Sequence, residues 1–307
     1  MSRPTSGSPS RLRTVLRWTG RIALALVALL VVAAGSVYAL SETRLRRHRD
    51  IAAHPFTVRA DSATIAMGER LALTRGCKDC HGENLAGNVL IDDPAIGRFA
   101  GPNLTMGGRG KHLTDADWER AVRHGLRRDG SQLLVMPSNE FTGFSDEDLA
   151  AIVAYARSLP ASPKVAPASY VGPVARVLFV TGQIDALPAQ KIDHAAPHPA
   201  RVVPDPTAAY GKYLAAGCQG CHNPSFTGGK IPGTPPEWKP AANITPEGIG
   251  HWSESDFVTA LRTARRPDGS AIDPQMPVKM TKHMTDTELK ALYAYLRTVP
   301  RRPYGVR

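Results

Sequence analysis

Hydrophobic residues cluster in a few segments of this chain, and stretches rich in glycine and proline separate those segments. The first apolar segment is residues 22–40, which contain no charged side chain. A helix needs about 20 apolar residues to cross the hydrocarbon core of a bilayer. The pattern therefore predicts a transmembrane anchor over residues 22–40, preceded by a basic cytoplasmic segment over residues 1–21.

The charges and residues beside this segment bear on its orientation and fate. Five arginines precede it without an acidic residue, which favours a cytoplasmic N-terminus, although four arginines within residues 44–49 reduce the asymmetry. A cleaved signal peptide is the alternative, because Val37, Tyr38 and Ala39 form an acceptable cleavage site. The apolar run exceeds the usual signal core of about 7 to 15 residues, so an uncleaved anchor is favoured. Both alternatives export the rest of the chain.

Three helices are predicted twice in the remaining chain. A serine or threonine N-cap, followed three residues later by an acidic residue, marks the start of each middle and final helix. The final helix carries an apolar stripe at helical spacing, as at Leu289, Leu292 and Leu296. The first helices are predicted at residues 63–75 and 207–216, the middle helices begin at Thr114 and Ser253, and the final helices begin at Ser145 and Thr285.

This order of helices reflects an internal repeat with an offset of about 140 residues. The copies share a cysteine–cysteine–histidine group, a methionine–proline pair and a closing segment that ends in proline. The aligned pairs are Cys77 with Cys218, Cys80 with Cys221, His81 with His222, Met136 with Met276, and residues 145–160 with residues 285–300. The repeat therefore predicts two domains of one fold.

No convincing strand pattern appears in either copy, so the predicted fold class is all-α. We expect two tandem domains with long loops after one transmembrane helix. The predicted segments are a juxtamembrane linker (41–60), a first domain (61–160), a proline-rich linker (161–206) and a second domain (207–307). Within the second linker, residues 174–180 form an apolar run. We expect this run to be pinned in a groove, because a freely exposed apolar patch is a liability.

The distribution of charge argues against nucleic-acid binding. The formal net charge is +11, but residues 41–160 are balanced and the excess outside the N-terminus lies after residue 160, with 17 basic and 11 acidic side chains. No basic helix with interleaved aromatic residues occurs there, so we expect no binding to nucleic acid. A docking surface for an acidic protein partner is favoured instead.

All four cysteines lie in two Cys-x-x-Cys-His motifs. This spacing is the attachment signature of c-type haem. Two thiols at this spacing can each add to a haem vinyl group, while the adjacent imidazole reaches the iron from one face. The motifs therefore predict two covalently attached haem c groups. The residues predicted to hold them are Cys77, Cys80, His81, Cys218, Cys221 and His222.

Two other uses of paired thiols compete with haem. Two Cys-x-x-Cys pairs can form a four-cysteine zinc site, and a single pair can act as a redox disulfide. Neither use requires a histidine directly after each second cysteine, or a methionine–proline pair downstream in each copy. Export of the chain also suits haem c, which is attached outside the bacterial cytoplasm.

On these motifs, the region from about residue 64 to residue 300 resembles a tandem pair of class I-type cytochrome c domains. Such pairs occur in bacterial dihaem cytochromes that accompany dehydrogenases and terminal oxidases. The resemblance rests on CKDCH and CQGCH, the two methionine–proline pairs, and DLAAIVAYARSLP with ELKALYAYLRTVP. It implies that the first and final helices of each domain cross. Gly68 and Gly211 would lie at the crossings, against final helices that carry Tyr155 and Tyr295.

The resemblance also implies the second ligand of each iron. Met136 and Met276 occupy the family's methionine–proline position, and each lies 24 residues before the proline that ends the final helix. Methionine opposite histidine raises the reduction potential and fills the sixth position, which suits electron transfer. The competing candidates are Met106, His112 and His124 in the first domain and His251, Met280, His283 and Met284 in the second. Met280 is the nearest competitor.

Two further repeated pairs have two possible roles each. Asn103 and Asn243 either lie near a haem edge or form a tight turn. Arg127 and Arg266 either meet haem propionates or remain solvated at the surface. The sequence alone does not choose between these roles.

The resemblance implies an electron-transfer protein that is not an enzyme. It would be anchored in the bacterial inner membrane with its haem domains facing the periplasm, and would pass single electrons between a donor and an acceptor. A dehydrogenase, a terminal oxidase or a soluble cytochrome is the expected partner.

A dihaem cytochrome c peroxidase is one alternative, but it needs an iron with an open position, whereas both copies keep the methionine–proline pair. A haem subunit of a larger oxidase or dehydrogenase complex is the other.

Overall fold

The computed structural model of the chain describes residues 11–184, 186–235 and 237–306. The first ten residues of the predicted basic segment, including Arg3, lie outside the described residues. The chain forms two units, Met1–Leu45 and Arg46–Arg307. Most of the regular structure is helical, which confirms the predicted fold class.

In the first unit, the described residues form one long helix, α1 (Arg11–Leu45). By length and composition this helix can cross a membrane. Its apolar side chains, such as Leu24 and Leu30, are exposed along its length. Such a surface is unfavourable in water, whereas the hydrocarbon core of a bilayer would accept it. The helix includes the whole of the predicted anchor and extends past both of its ends.

The second unit holds both copies of the repeat. The helices of the first domain are α2 (Ser62–Thr74), α3 (Cys77–His81), α4 (Asp115–Glu119), α5 (Ser138–Phe141) and α6 (Asp146–Ser158), and the linker contains α7 (Pro173–Val180). The helices of the second domain are α8 (Ala208–Ala215), α9 (Gln219–His222), α10 (Pro246–Ile249), α11 (Glu254–Thr263), α12 (Val278–Thr281) and α13 (Asp286–Leu296). Short 3-10 turns occupy Arg109–His112, Pro188–Lys191 and Ala216–Cys218, and a π-helical turn, Arg120–His124, continues α4.

The N-caps predicted from the sequence begin the middle and final helices. Each cap side chain accepts a hydrogen bond from the backbone amide three residues later. At Thr114, Ser253 and Thr285 the acidic residue also returns a bond to the cap backbone and closes a capping box. Ser145 makes the forward bond. These local signals fix where each helix begins, since the first amides of a helix have no partner within it.

The first and final helices of each domain cross at a glycine, as the resemblance implies. A Cβ atom at Gly68 or at Gly211 would lie only 1.9 Å from a backbone oxygen of the final helix. The Cβ atoms of Tyr155 and Tyr295 border the same two positions. The absence of a side chain therefore lets the two backbones approach, and the predicted crossing is confirmed in both domains.

The two domains differ between this crossing and the cysteines. In the first domain, α2 ends at Thr74 and a left-handed residue, Gly76 (φ 76°), leads into α3. In the second domain, α8 continues directly into the turn Ala216–Cys218. The extra residues between the crossing glycine and the first cysteine of the first domain thus form a left-handed turn. The helix crossing is the same in both domains.

Each domain has its own hydrophobic core between its first and final helices. Leu71, Leu149 and Ile152 belong to the first core. Leu214 and Leu289 belong to the second. Full burial of an aliphatic side chain of this size stabilises a fold by about 1.5 to 3 kcal/mol, so these residues determine how the crossing helices pack.

A small antiparallel sheet is the element that the sequence pattern did not predict. It consists of β1 (Asn88–Asp93), β2 (Gly97–Gly101) and β3 (Tyr170–Val171), in that spatial order. Nearly all of β1 is exposed, so it lacks the alternation of apolar and polar residues that identifies a half-buried strand. Because β3 belongs to the linker, the sheet attaches the linker to the first domain.

The apolar run in the linker forms helix α7. Ala175 and Phe179 are buried on one side, whereas Val174 and Val177 are largely exposed. The apolar run is therefore packed against the protein, as expected, along one side of the helix.

The two domains pack against each other through equivalent positions. Arg70 on α2 donates to Glu288 at the start of α13, over 2.7 and 2.8 Å to the two carboxylate oxygens. Tyr213 on α8 donates to Asp148 at the start of α6. Arg70 and Tyr213 each follow the crossing glycine by two residues, and Asp148 and Glu288 are each the third residue of a final helix. The arrangement approximates the isologous interface of a two-fold dimer.

Candidate haem sites

Each Cys-x-x-Cys-His motif forms a helical turn directly after the first helix of its domain. Residues three or four apart lie on the same side of a helix, so Cys77, Cys80 and His81 face a common region. Cys77 packs against the first hydrophobic core and Cys218 against the second. No disulfide bond joins any of the four cysteines. The structure thus brings together the residues of each motif as the sequence predicts.

The environment of the thiols disfavours the zinc and disulfide alternatives. Burial raises the pKa of Cys77 to about 12 and that of Cys218 to about 11, and it also raises the pKa of Cys80 and Cys221. The thiolate is the form that attacks a disulfide, so thiols with a raised pKa are poorly suited to redox exchange. Among the described residues, the four sulfur atoms do not form a group of mutually close metal ligands.

The two motif histidines are oriented by backbone carbonyls. The Nδ1 atom of His81 lies 2.9 Å from the Pro102 oxygen, and that of His222 lies 2.7 Å from the Ala242 oxygen. A carbonyl oxygen can only accept, so Nδ1 carries the hydrogen and Nε2 keeps its lone pair. Burial lowers the pKa of both imidazoles, although the carbonyl bonds oppose this effect. Each ring is therefore a neutral ligand with a fixed tautomer.

These two carbonyls are functional groups that sequence reasoning missed. Pro102 and Ala242 differ in residue type, and the interaction uses only their backbone. The repeat could have identified them by their position, because Pro102 and Ala242 each directly precede the asparagine of the repeated Asn-x-Thr segment.

The methionine–proline pairs have the same backbone conformation in both domains. Pro137 and Pro277 both have φ −78°, with ψ 51° and 62°. In each pair, the amide two residues after the methionine donates to the methionine carbonyl over 2.7 Å. This geometry is close to an inverse γ-turn. Met136 also packs against the same core cluster as Cys77, and Met276 is half-buried.

The competing methionines have other environments. A Cβ atom at Gly76 would lie 3.2 Å from the Met280 sulfur, so this sulfur faces the motif of the first domain. Met284 is 7% exposed within the second core, and Met106 is 44% exposed. Among the histidines, His112, His251 and His283 are exposed, and His124 is buried beside Glu119. These environments favour Met136 and Met276 as the second ligands.

The repeated asparagines and arginines bind the backbone of their own domains. Asn103 accepts hydrogen bonds from the amide and hydroxyl of Thr105, and Asn243 accepts the same pair from Thr245. The interpretation as a turn is therefore confirmed for both asparagines.

Arg127 donates to the Gln132 oxygen and Arg266 donates to the Ala271 oxygen, each over 2.6 Å. Both arginines also donate to the serine hydroxyl four residues later. Each guanidinium therefore closes the turn that precedes its methionine–proline pair.

Each Cys-x-x-Cys-His motif is also contacted by the opposite domain. Glu140 on α5 packs against Gly220 between the second pair of cysteines. Lys279 on α12 forms a 2.8 Å ion pair with Asp79 between the first pair. Because α5 and α12 directly follow the methionine–proline pairs, the methionine segment of each domain adjoins the motif of the other.

A sequence model of the family described as "Cytochrome c" matches residues 65–160 and again residues 208–300. The chain belongs to the cytochrome c family. Each match contains one complete Cys-x-x-Cys-His motif and one methionine–proline pair. The chain accordingly binds two covalently attached haem c groups, and the thiols, imidazoles and thioethers described above fit them.

The chain is similar to several curated cytochrome subunits. It is 30% identical over 276 residues to "Alcohol dehydrogenase (quinone), cytochrome c subunit" of Gluconobacter oxydans (strain 621H), covering 80% of this chain and 57% of the relative. It is 28% identical to "Fructose dehydrogenase cytochrome subunit" of Gluconobacter japonicus, covering 80% and 54%. It is also 28% identical to "Diheme cytochrome c-type" of Cereibacter sphaeroides, covering 76% and 86%. The chain thus spans just over half the length of the two dehydrogenase subunits.

Proposed function

We propose that this chain is a membrane-anchored dihaem cytochrome that passes single electrons from a dehydrogenase to an acceptor. The observation that carries this proposal is the reciprocal packing of the motifs, in which Glu140 contacts Gly220 and Lys279 pairs with Asp79. Each porphyrin is tethered at a motif that the other domain covers. The two haem sites are therefore neighbours, and an electron can pass between them within one chain.

In this proposal each domain supplies a complete set of iron ligands. His81 and Met136 would hold the first iron, and His222 and Met276 would hold the second. When bound, the haem would supply one-electron chemistry, and thioether ligands would favour a high reduction potential. The protein tethers the porphyrin through its thiols, holds each imidazole in one tautomer and excludes water with its two cores.

The partner is inferred from the relatives and from charge. The similar chains are cytochrome subunits of alcohol and fructose dehydrogenases, so a dehydrogenase is the proposed electron donor. The excess of basic residues after residue 160 suits docking of an acidic surface, and a terminal oxidase or a soluble cytochrome is the proposed acceptor. Helix α1 would anchor the chain in the bacterial inner membrane with the haem domains in the periplasm.

The peroxidase alternative is not favoured. Reduction of peroxide needs an iron whose sixth position is open, whereas the methionine–proline turns of the two domains have matching conformations. The relatives are likewise named as cytochrome subunits of dehydrogenases.

Purification of the haem-loaded chain in mild detergent tests the proposal. We expect two resolved one-electron transitions in a redox titration, six-coordinate spectra for both haems, and co-purification of a dehydrogenase whose substrate reduces both haems. Peroxide turnover by the purified chain, or a five-coordinate haem in the resting protein, would overturn the proposal. The order of the two potentials would give the direction of electron flow within the chain.

A further inference from the structure

The first domain contains a second group of metal-ligating side chains outside the Cys-x-x-Cys-His motifs. One ligand atom from each of Glu119, His124 and His198 lies within 4.8 Å of the other two. Glu119 is 0% exposed and His124 is 2% exposed. The third member, His198, comes from the linker that follows the first domain. Nothing in the proposed haem chemistry uses these residues.

The Glu119 carboxylate has close cationic or imidazole neighbours but no hydrogen bond. Neither of its oxygens has a hydrogen-bond partner. The nearest nitrogens to its Oε1 atom are His124 Nε2 at 3.2 Å, Arg123 Nη1 at 3.9 Å and His198 Nε2 at 4.0 Å. A buried carboxylate in this condition is unfavourable unless a cation completes its environment.

A chain of hydrogen bonds defines which nitrogen of His124 is free. His194 Nε2 lies 3.0 Å from the Ala189 oxygen, which only accepts, so this nitrogen carries a hydrogen. In the neutral His194 ring, Nδ1 then has no hydrogen, so it accepts from His124 Nδ1 over 3.0 Å. In neutral His124, therefore, Nε2 presents a lone pair to the Glu119 oxygen.

Two lone pairs at 3.2 Å repel each other unless a cation lies between them. A metal ion bound by both atoms would be such a cation. A metal-bound histidine characteristically donates its other ring hydrogen to a second group, as His124 does to His194.

The second domain provides an internal comparison. The repeat aligns Glu119 with Val258 and His124 with Thr263, so the haem fold requires neither a carboxylate nor an imidazole at these positions. Arg123 is different. Its counterpart Arg262 makes the same two contacts, with a backbone oxygen and with the first aspartate of the final helix. The arginine is thus part of the common fold, whereas Glu119 and His124 are specific to the first domain.

The backbone also differs at this point. The first domain forms a π-helical turn over Arg120–His124, whereas α11 of the second domain is a regular α-helix. Isolated π-helical turns occur mostly at functional sites. The turn ends at His124, which is the residue that faces Glu119.

We propose that Glu119, His124 and His198 bind a divalent transition-metal ion, with zinc as the preferred occupant. Two imidazole nitrogens and one carboxylate form a common zinc donor set that leaves a fourth position for water. Zinc bonds of about 2.0 to 2.2 Å place tetrahedral ligand atoms about 3.4 Å apart. The distances from the Glu119 oxygen to the two imidazoles, 3.2 and 4.0 Å, bracket this value.

The surrounding charges are compatible with a divalent cation. Arg123 is the nearest positive group, and it is bound to Asp146 over 2.8 Å. Asp146 also lies 3.4 Å from His54, whose ring packs against His198. Two carboxylates therefore oppose one guanidinium, which leaves room for a further positive charge.

Zinc at this position would fasten the linker to the first domain. Glu119 and His124 belong to the middle helical segment, whereas His198 lies in the linker beside Pro199, whose oxygen accepts from the Asp146 amide over 3.0 Å. We therefore expect removal of zinc to expose the linker around residue 198 to proteolysis.

Zinc binding to the haem-loaded full chain in detergent tests this site. After dialysis against metal-free buffer, the wild-type chain should take up one zinc per two haem irons at micromolar free zinc, measured by elemental mass spectrometry. His124→Gln and His198→Gln should each weaken zinc binding at least tenfold. The exposed His283→Gln is the matched control and should bind zinc like the wild type. Unchanged haem spectra would show that each variant is folded.

Two results would overturn the proposal. One is a wild-type chain that retains no zinc at micromolar free metal. The other is equal zinc binding by wild type and His124→Gln. X-ray absorption at the zinc edge of the wild-type chain needs no variant, and it should detect two imidazoles and one carboxylate. Sulfur ligands or an all-oxygen shell would also contradict the site.

Discussion

Tyr213 of the second domain donates its phenolic hydrogen to Asp148 of the first, and its oxygen accepts from the Ser145 amide over 3.1 Å. Asp148 is buried, and burial is the main cause that raises the pKa of its carboxyl group. Burial likewise raises the pKa of Tyr213, and the Asp148 charge adds to that effect. This hydroxyl therefore satisfies two buried groups of the first domain at the contact between the domains.

Removal of that hydroxyl should loosen the interface. Tyr213→Phe leaves the Asp148 carboxylate and the Ser145 amide without their partner, and a buried unsatisfied group costs about 1 to 3 kcal/mol. We expect a decrease of this size in the free energy of unfolding, measured by urea titration of the haem-loaded protein. Tyr304→Phe is the control, because Tyr304 is 57% exposed. Equal stability of the two variants would mean that the Tyr213 hydroxyl does not hold the domains together.

The helix crossing of the second domain should not tolerate a side chain. In Gly211→Ala the new Cβ would lie 1.9 Å from a backbone oxygen of α13, so the helices must separate. We expect a loss of about 3 kcal/mol of stability or more, since overpacking against backbone cannot be relieved by a rotamer change. Differential scanning calorimetry and the haem content per chain would measure the effect.

Gly143→Ala is the control for this substitution. An added Cβ at Gly143 has nothing within 4 Å, so its effect should stay within about 0.5 kcal/mol. Full haem content together with unchanged thermal stability in Gly211→Ala would contradict the close crossing.

Replacement of the proposed axial methionines should change one haem at a time. Met136→Ala and Met276→Ala should each remove about half of the methionine-to-iron charge-transfer band in the oxidised protein, and each should lower one of the two reduction potentials. The band is read from near-infrared absorption, and the potentials from a spectroscopic redox titration.

Met280→Ala should leave both bands in place, because its sulfur lies beside Gly76 of the first domain. A Met280→Ala variant that lost the second band would reassign the ligand. Retention of the full band in Met276→Ala would do the same.

Acid should destabilise the first domain through Asp117. The hydrogen bond from Arg128 is the main cause that lowers the Asp117 pKa from 3.8 to about 2, and the capping bonds of Thr114 add to it. The unfolded chain binds the proton more tightly. The resulting stability is therefore complete above pH 3.8 and is lost as the pH falls toward 2. Because Arg128 is largely exposed, we expect about 1 to 2 kcal/mol in total.

The variant Asp117→Asn should flatten the wild-type loss of stability between pH 4 and pH 2, measured as the urea midpoint at each pH. Asp256→Asn is the matched control at the equivalent helix position, where the half-buried carboxylate accepts hydrogen bonds from Ser253. An identical acid response in wild type and Asp117→Asn would refute this origin of the pH dependence.

The sequence predicted features that depend on neighbouring residues, and the family resemblance supplied some of the packing. The N-caps at Thr114 and Ser253 depend on residues three positions away, and they appear in the structure as predicted. The crossings at Gly68 and Gly211 followed from the family resemblance. Strand β1 was not predicted, because its residues are nearly all exposed and show no alternation of apolar and polar positions.

Contacts between distant residues could not be predicted. Tyr213 and Asp148 are 65 residues apart, and the equivalent contact uses an arginine and a glutamate, so the alignment of the repeats conceals it. The proposed zinc site could not be predicted from the sequence for the same reason. His198 lies 79 residues from Glu119 in a linker with no counterpart in the repeat, and only folding brings the two side chains together.

The reciprocal contact of Arg70 with Glu288 and of Tyr213 with Asp148 joins two halves that are already parts of one polypeptide. A covalent tether gives the second half a local concentration of the order of millimolar around the first. Polar pairs that would be too weak to hold two separate chains together can then contribute to keeping the two halves docked.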